Sequence, residues 1–397
     1  MRFYNNQVKT HVVESHYHDN TRSEIRLEPR NWFSNWRLAN IGATMAGIND
    51  RYWALSSGCC SGIRNIYLYD GNQLLDQKQE CHQHVAFNSL RQTNDYNQDV
   101  DKELLQGHLG FQVIEDKITG SHLPDKQITN DATTTSTGWV NLRNVFGFLK
   151  GMNHVSGQTF HNLRILIEWR QDFINLMHES AGLTGLTYLK PQLIVDEDLS
   201  PNSKPPTGSI PYWCNEIDRL EIPARTSAAG LYSLKTRVNG FNNKFVRRMA
   251  IANINATLGN DTADTNHLKN DTFFPEKLEN LQLVVNNNQL FEFKGIDSQA
   301  KKLAMLSDHW GDMNVPLGAD WYDMTNETKI YSNGSIPFYM QGKLSYYGFA
   351  VNDKLSNFEV EYSKTPHVDR AACQLLFMGE VLKELTISNN GYVISNV

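Results

Sequence analysis

The sequence predicts an all-β protein of antiparallel strands arranged in two halves, and three observations carry that prediction. Apolar and polar residues alternate at period two in several segments, as half-buried antiparallel strands require. Asp-Gly and Asn-Gly dipeptides, which tolerate the positive φ of tight hairpins, sit beside those segments at Asp70-Gly71, Asn239-Gly240, Asn333-Gly334 and Asn390-Gly391. Strands do not alternate with helices, and no glycine fingerprint follows a strand, which disfavours a doubly wound fold.

In chain order, residues 1–22 are polar and read as a mobile N-terminal arm. β-rich runs follow at 24–28 and 63–69. A helix is predicted over about 83–106, where Tyr96, Val100 and Leu104 recur at i, i+4, i+8. Residues 120–138, with the Thr run 133–135, read as a long loop. In 163–169, Leu163, Ile165, Ile167 and Trp169 alternate with Arg164, Leu166 and Glu168. In 231–238, Tyr232, Leu234, Thr236 and Val238 alternate with Ser233, Lys235 and Arg237. A second long loop covers 256–275 and precedes a β-rich run at 281–285. A second helix, about 296–306, puts Ile296, Ala300, Leu303 and Ala304 on one face. Strands at 343–351, 358–362 and 373–378 complete the list, with Phe358, Val360 and Tyr362 alternating with Glu359 and Glu361.

The two halves share an order of elements. Residues 63–77, IRNIYLYDGNQLLDQ, are an alternating strand, a polar turn and Asn72-Gln73-Leu74, leading to the first helix. Residues 278–293, LENLQLVVNNNQLFEF, repeat that order through Asn288-Gln289-Leu290, leading to the second helix. Later, 163–170 (LRILIEWR) matches 355–362 (LSNFEVEY) in pattern. Between the halves, Asp196 to Ile210 carries Pro201, Pro205 and Pro206 and reads as a loop or linker. The boundary falls within 197–230, with Leu220-Glu221-Ile222 fitting a last strand of the first half.

Composition bounds the function. The 397 residues suit two domains of roughly 200 residues. With 40% hydrophobic and 20% charged residues, the chain can bury cores and is not globally disordered. A net charge of −6 leaves no cationic excess for wrapping a phosphate backbone. Mean hydropathy is −0.48. No apolar run approaches the roughly 18 residues of a spanning helix, and MRFYNNQVKTHVVESHYHDN lacks the apolar core of a signal peptide. Of five cysteines, Cys59 and Cys60 are adjacent, and Cys81, Cys214 and Cys373 are scattered, so a disulfide framework is not indicated and a reducing compartment fits.

No P-loop, G-x-S-x-G, H-E-x-x-H or EF-hand pattern occurs. Cys81, His82 and His84, with Cys59 or Cys60, have ligand types suited to zinc, but no second Cys-x-x-Cys completes a closed site, and polar loop residues before a helix are the preferred reading. His11, His16 and His18 read as histidines of a disordered arm. Asp99/Asp101 on the first helix and Asp196/Asp198 in the linker read as solvated charge rather than catalytic carboxylate pairs. Trp32, Trp36 and Trp53 suit an aromatic platform for sugar or base, yet core anchoring or subunit packing explains them better. Arg247-Arg248 with Lys244 and Arg237 form a small basic patch that reads as a solvated face. Sequons at Asn255, Asn260, Asn270, Asn326 and Asn333 are near chance in so Asn-rich a chain.

Three segments carry a resemblance. SEIRLEPRNWF (23–33) looks like an opening strand with an aromatic turn. SGIRNIYLYDGNQLLDQ (61–77) looks like the strand-turn unit before a first domain's helix. SLKTRVNGFNNKFVRRMAIANIN (233–255), followed by LENLQLVVNNNQLFEF, looks like the opening of a second domain. In layout the chain resembles the double jelly-roll major capsid proteins of tailless double-stranded DNA viruses, the group of adenovirus hexon and the virophage and polinton-like capsid proteins. The resemblance implies two tandem eight-stranded antiparallel jelly rolls with short helices between strands, the first over 23–210 and the second over 211–397. It implies a structural, non-enzymatic protein with no catalytic, cofactor or metal residues. It further implies a homotrimer with a six-sided outline, neighbouring capsomers, penton and minor capsid proteins as partners, and an internal membrane as a compatible one. No specific nucleic-acid binding is expected, and the place is the virion, assembled in host cytoplasm or nucleus. The alternatives are another virion β-protein (penton, spike or scaffold) and a β-sandwich carbohydrate-binding protein or glycosidase.

Overall fold

A computed structural model describes residues 8–28, 31–47, 60, 62–90, 113–114, 117–118, 133–152, 154–170, 183–199, 207–222, 232–255, 278–291, 295–310, 346–364, 373–389 and 391–397. The first half contributes β1 (Val8–Glu14), β2 (Tyr17–His18), β3 (Arg22–Arg26), β4 (Trp32–Gly47), β5 (Ile63–Asp70), β6 (Gln73–Gln79), β7 (Val113–Ile114), β8 (Lys117–Ile118), β9 (Thr133–Asn141), β10 (Val155–Ser156), β11 (Leu163–Trp169), β12 (Leu183–Tyr188) and β13 (Gln192–Asp198). The second contributes β14 (Gly208–Ile222), β15 (Tyr232–Arg237), β16 (Phe245–Asn255), β17 (Leu278–Val285), β18 (Asn288–Gln289), β19 (Tyr346–Lys354), β20 (Phe358–Lys364), β21 (Cys373–Ser388) and β22 (Gly391–Asn396). The named strands pair antiparallel throughout.

The two halves have one topology. In the first, the sheet β1-β13-β4-β9 faces the sheet β3-β11-β5-β6; in the second, β14-β21-β16-β19 faces β15-β20-β17-β18. Each second-half strand stands where its counterpart in chain order stands in the first half. Among these sixteen strands the chain crosses between sheets at every connection within a half except the hairpins β5–β6 and β17–β18. This is the eight-stranded jelly roll, made twice. The expected match of 163–170 with 355–362 is realised, since β11 and β20 are both inner strands of the same sheet position.

Sequence periodicity explains the cores. Leu163, Ile165, Ile167 and Trp169 of β11 are all buried, and the residues between them are half-buried. They meet Ile25, Ile66, Leu68, Leu38, Leu193 and Val195 in the first core. The second core packs Phe358, Val360 and Tyr362 against Leu281, Leu283, Met249, Ile251 and Phe349. Phe358 meets Phe377 edge to face, with centroids 5.9 Å apart. The first core does not close on its own residues. Tyr212 and Cys214 of β14 and Leu385 and Ile387 of β21 belong to it, and Tyr392 and Ile394 of β22 pack against it.

Turn chemistry agrees in part with the sequence. Gly71 (φ 57°) lets β5 turn into β6. Asn286 and Asn287, both left-handed, make the two-residue β17–β18 hairpin. β21 turns into β22 with Ser388 paired to Gly391. Asn239-Gly240 is different: β15 and β16 lie in facing sheets, so this dipeptide rounds a corner rather than a hairpin, and the left-handed residue there is Asn243 (φ 61°). Asn333-Gly334 lies outside the described residues.

Four other expectations are corrected. Residues 8–22, expected as part of an arm, form β1 on β13 and β2 on β3. Their polarity reflects an edge position with one face in solvent. Asp196–Asp198, expected in the linker, end β13, and Gly208–Ile210 begin β14. Leu220-Glu221-Ile222 belong to the second half, because β14 pairs with β21 over its whole length. The helices span Cys81–Leu90 and Gln299–Trp310, and Tyr96, Val100 and Leu104 lie outside the described residues. Two short helices, Leu142–Val145 and Gly147–Gly151, come from a stretch too short to show helical periodicity.

Candidate functional site

The densest polar chemistry lies where the halves meet. β6 presents Asp76 and Lys78 on one face, and Glu80 follows with a left-handed φ of 46°. All three are buried, at 1%, 3% and 9% exposure. β14 faces them with Tyr212, Cys214 and Glu216, again at period two and again buried. Tyr212 Oη donates to the Leu75 carbonyl at 2.6 Å. Cys214 Sγ donates to Asp76 Oδ1 at 3.0 Å, and Asp76 Oδ2 accepts from the Phe148 amide at 2.8 Å. Glu80 pairs with Arg219, and Arg64 and Arg170 lie 3.7 Å and 3.9 Å from it. Glu216 pairs with Lys244 at 2.5 Å and with Lys383 at 3.1 Å. Arg248 holds Glu380 through two contacts of 2.6 Å and 3.0 Å.

The backbones also approach closely. A Cβ on Gly147 would stand 1.7 Å from the Trp213 carbonyl oxygen. Phe148 meets Tyr212 and Phe160 edge to face, each at 5.6 Å. Tyr392 reaches back from β22, its ring 4.8 Å from Phe160 and its hydroxyl donating to Asp70 at 2.9 Å. The seam is therefore a buried polar joint: Glu80–Arg219, Tyr212–Leu75 and Cys214–Asp76 cross it, while Glu216 and Glu380 pair with lysines and an arginine of the second half beside it.

Burial moves the ionisable groups toward their neutral forms. It pushes the Asp76 carboxyl up and the Lys78 amine down. The Cys81 and Cys214 thiols are pushed up by burial, which makes them poor nucleophiles. His82 is held well below the usual imidazole range by burial and by Arg170, which donates to its ring with Nη1 3.0 Å from Nδ1. His84 is lowered by burial and by Lys78, and its Nε2 has no hydrogen-bond partner among the described residues. These shifts fix a pH dependence. Both histidines are neutral when folded, so the unfolded chain binds more protons below about pH 6.5 and stability falls as pH drops through that point. The loss falls between about pH 7.5 and about pH 5.5, around the ordinary imidazole pKa. Thermal unfolding across that range is expected to show the loss, and His84→Gln to reduce it. A midpoint independent of pH would contradict the assignment.

The other sequence candidates have structural roles. Among the described residues no group of three or more His, Cys, Asp or Glu side chains can hold a metal. Cys81, His82 and His84 are buried at the start of the first helix, where the sequence suggested polar loop residues before it. His11 contacts Glu197 at 2.6 Å, and His18 contacts Ser23 Oγ and the Tyr188 carbonyl, so neither belongs to a disordered arm. Asp196 accepts from Thr10, Asn35 and Arg37. Trp36 is a core anchor, 1% exposed, and Trp32 is also buried. The basic patch is spoken for: Lys244 and Arg248 pair as above, Arg247 sits over Trp213, and Arg237 donates to the Ser356 carbonyl. Asp99, Asp101, Trp53 and Cys59 lie outside the described residues. The inter-half seam itself was missed by sequence reasoning; its signal was the period-two charge run Asp76, Lys78, Glu80 after Leu74-Leu75.

No family model and no curated protein matches the sequence. Solved structures do match. A chain of the Sputnik virophage structure aligns with a TM-score of 0.60 and 12% identity, over 98% of this chain and 88% of that one. The Faustovirus major capsid protein gives 0.60 and 9% identity, over 96% of this chain and 90% of that one. The mavirus major capsid protein gives 0.57 and 9% identity, over 98% of this chain and 90% of that one. The likeness is one of fold, extends over nearly the whole of each chain, and gives this protein the tandem double jelly roll of viral major capsid proteins.

Proposed function

We propose that this chain is a viral major capsid protein, a non-enzymatic subunit that trimerises into six-sided capsomers and tiles an icosahedral shell. The observation that carries the reading is the internal duplication: two jelly rolls of identical strand order, joined through a buried polar seam. A subunit made of two similar wedges lets three copies present six, and such a block packs on a hexagonal lattice. The division between domains is proposed to fall between Leu199 and Gly208, because β13 closes the first sandwich and β14 opens the second. The proposed partners are further copies of the chain and the penton and minor proteins that fill other shell positions, with an internal membrane as a compatible neighbour. The proposed location is the virion, after assembly in host cytoplasm or nucleus. Negative-stain microscopy of concentrated protein tests the reading. Sheets or shells of six-sided blocks are expected. Isolated compact particles that never form a lattice, or turnover of a glycan panel, would favour a penton, spike or sandwich enzyme instead.

A further inference from the structure

The contact between the two halves joins unlike surfaces. The first half offers β6 and the helix Gly147–Gly151, and the second offers the edge strand β14 together with the end of β21 and the added strand β22. That contact covers β14, the end strand of β14-β21-β16-β19. The counterpart of β14 is β1, the end strand of β1-β13-β4-β9. Among the described residues, no strand pairs with the outer edge of β1.

The side chains of β1 fit an edge meant to be covered. Val13 packs on the first core, which turns Val8, Thr10 and Val12 to the opposite face. Val8 is 53% and Val12 60% exposed. Most of the exposed large apolar residues of the described structure lie on β1 or next to it, with Tyr17 on β2 and Leu199 just after β13. An open edge with valines on its face is a template for another chain unless it is covered.

A head-to-tail contact, when repeated between copies, generates a closed ring or an open filament. Each chain contains one such contact and, among the described residues, leaves two ends unmatched. One end is the β1 edge. The other is the β18 side of the second half, the counterpart of the β6 side. We propose that the β1 edge is the docking surface for the second half of another copy, which meets it through its β18 side. This inference rests on the capsomer reading and assigns its interface. The contact between copies differs in detail from the one within the chain. β19 and β20 are joined by Leu355–Asn357 alone, so the second half has no counterpart of the Gly147–Gly151 helix there.

The test compares the purified wild type with the double variant V8D/V12D and with V393D. Val393, 68% exposed on β22, has no counterpart in the first half and serves as the surface control. Light scattering and thermal unfolding are measured on all three. The wild type and V393D are expected at three copies, and V8D/V12D at one copy that still unfolds cooperatively, with the lower midpoint that loss of a partner brings. A three-copy mass for V8D/V12D overturns the docking assignment and leaves the capsomer reading standing. A one-copy wild type removes the capsomer reading and the assignment with it. Loss of assembly in V393D as well as V8D/V12D also overturns the assignment, because the effect is then not specific to β1. If V8D/V12D does not fold, V8T/V12T keeps β propensity. It is then read by the concentration at which the particle dissociates, expected at least about tenfold higher than wild type. An unchanged concentration overturns the proposal.

Discussion

Glu216→Leu is expected to lower stability by about 3–5 kcal/mol, the cost of breaking a buried ion pair by removing one partner. Glu216 holds two lysines at once, Lys244 at 2.5 Å and Lys383 at 3.1 Å. The carboxylate and Lys383 are 10% and 12% exposed, so water cannot replace the lost partner. The leucine leaves two ammonium groups facing each other across an apolar side chain. Removing one of them in turn restores part of the loss, so Glu216→Leu with Lys383→Met is expected to be more stable than Glu216→Leu alone. Denaturant midpoints of the single and double variants check both statements. A loss below about 1 kcal/mol, the range of solvent-screened surface pairs, would contradict the description of the seam as a dry joint.

The second large effect is expected at Gly147. In an ordinary helix an alanine would be better than glycine by about 1 kcal/mol. Here the alanine Cβ would fall 1.7 Å from the Trp213 carbonyl oxygen and 2.7 Å from its carbon. Both are backbone atoms, so no rotamer change relieves the clash. Gly147→Ala is therefore expected to cost at least the 1–3 kcal/mol or so typical of overpacking, with the sign reversed from helix propensity. Gly151→Ala, whose Cβ would meet the Tyr212 Cβ at 3.2 Å, is the milder neighbour. Proteolysis of the segment joining β13 to β14 should accelerate in Gly147→Ala and hardly change in Gly151→Ala. A stabilised Gly147→Ala would mean that the two rolls are not clamped at this point.

Much of the fold was legible because the rolls are half-buried antiparallel sheets, whose two-residue period writes the core into the sequence. β11, β20 and the hairpin at Gly71 follow directly from that period and from turn chemistry. What could not be read was whatever depends on a neighbour distant in sequence. β1 looks like a polar arm because only one of its faces and one of its edges are covered. β13 ends in Asp196-Glu197-Asp198, which reads as a solvated run. Yet Glu197 is buried against His11, and Asp196 is held by Thr10, Asn35 and Arg37. Asp76, Lys78 and Glu80 likewise look solvated until β14 is placed over them. The halves were recognisable from their repeated order, while their boundary was not, since β14 follows a proline-rich stretch and its first residues also serve the first core.

The most direct test of the capsomer account is the mass of the purified chain in solution, measured by light scattering. The account predicts a stable particle of about three times the 45.3 kDa chain mass, with a six-sided outline in negative stain. A particle that stays at the single-chain mass at every concentration examined would contradict it.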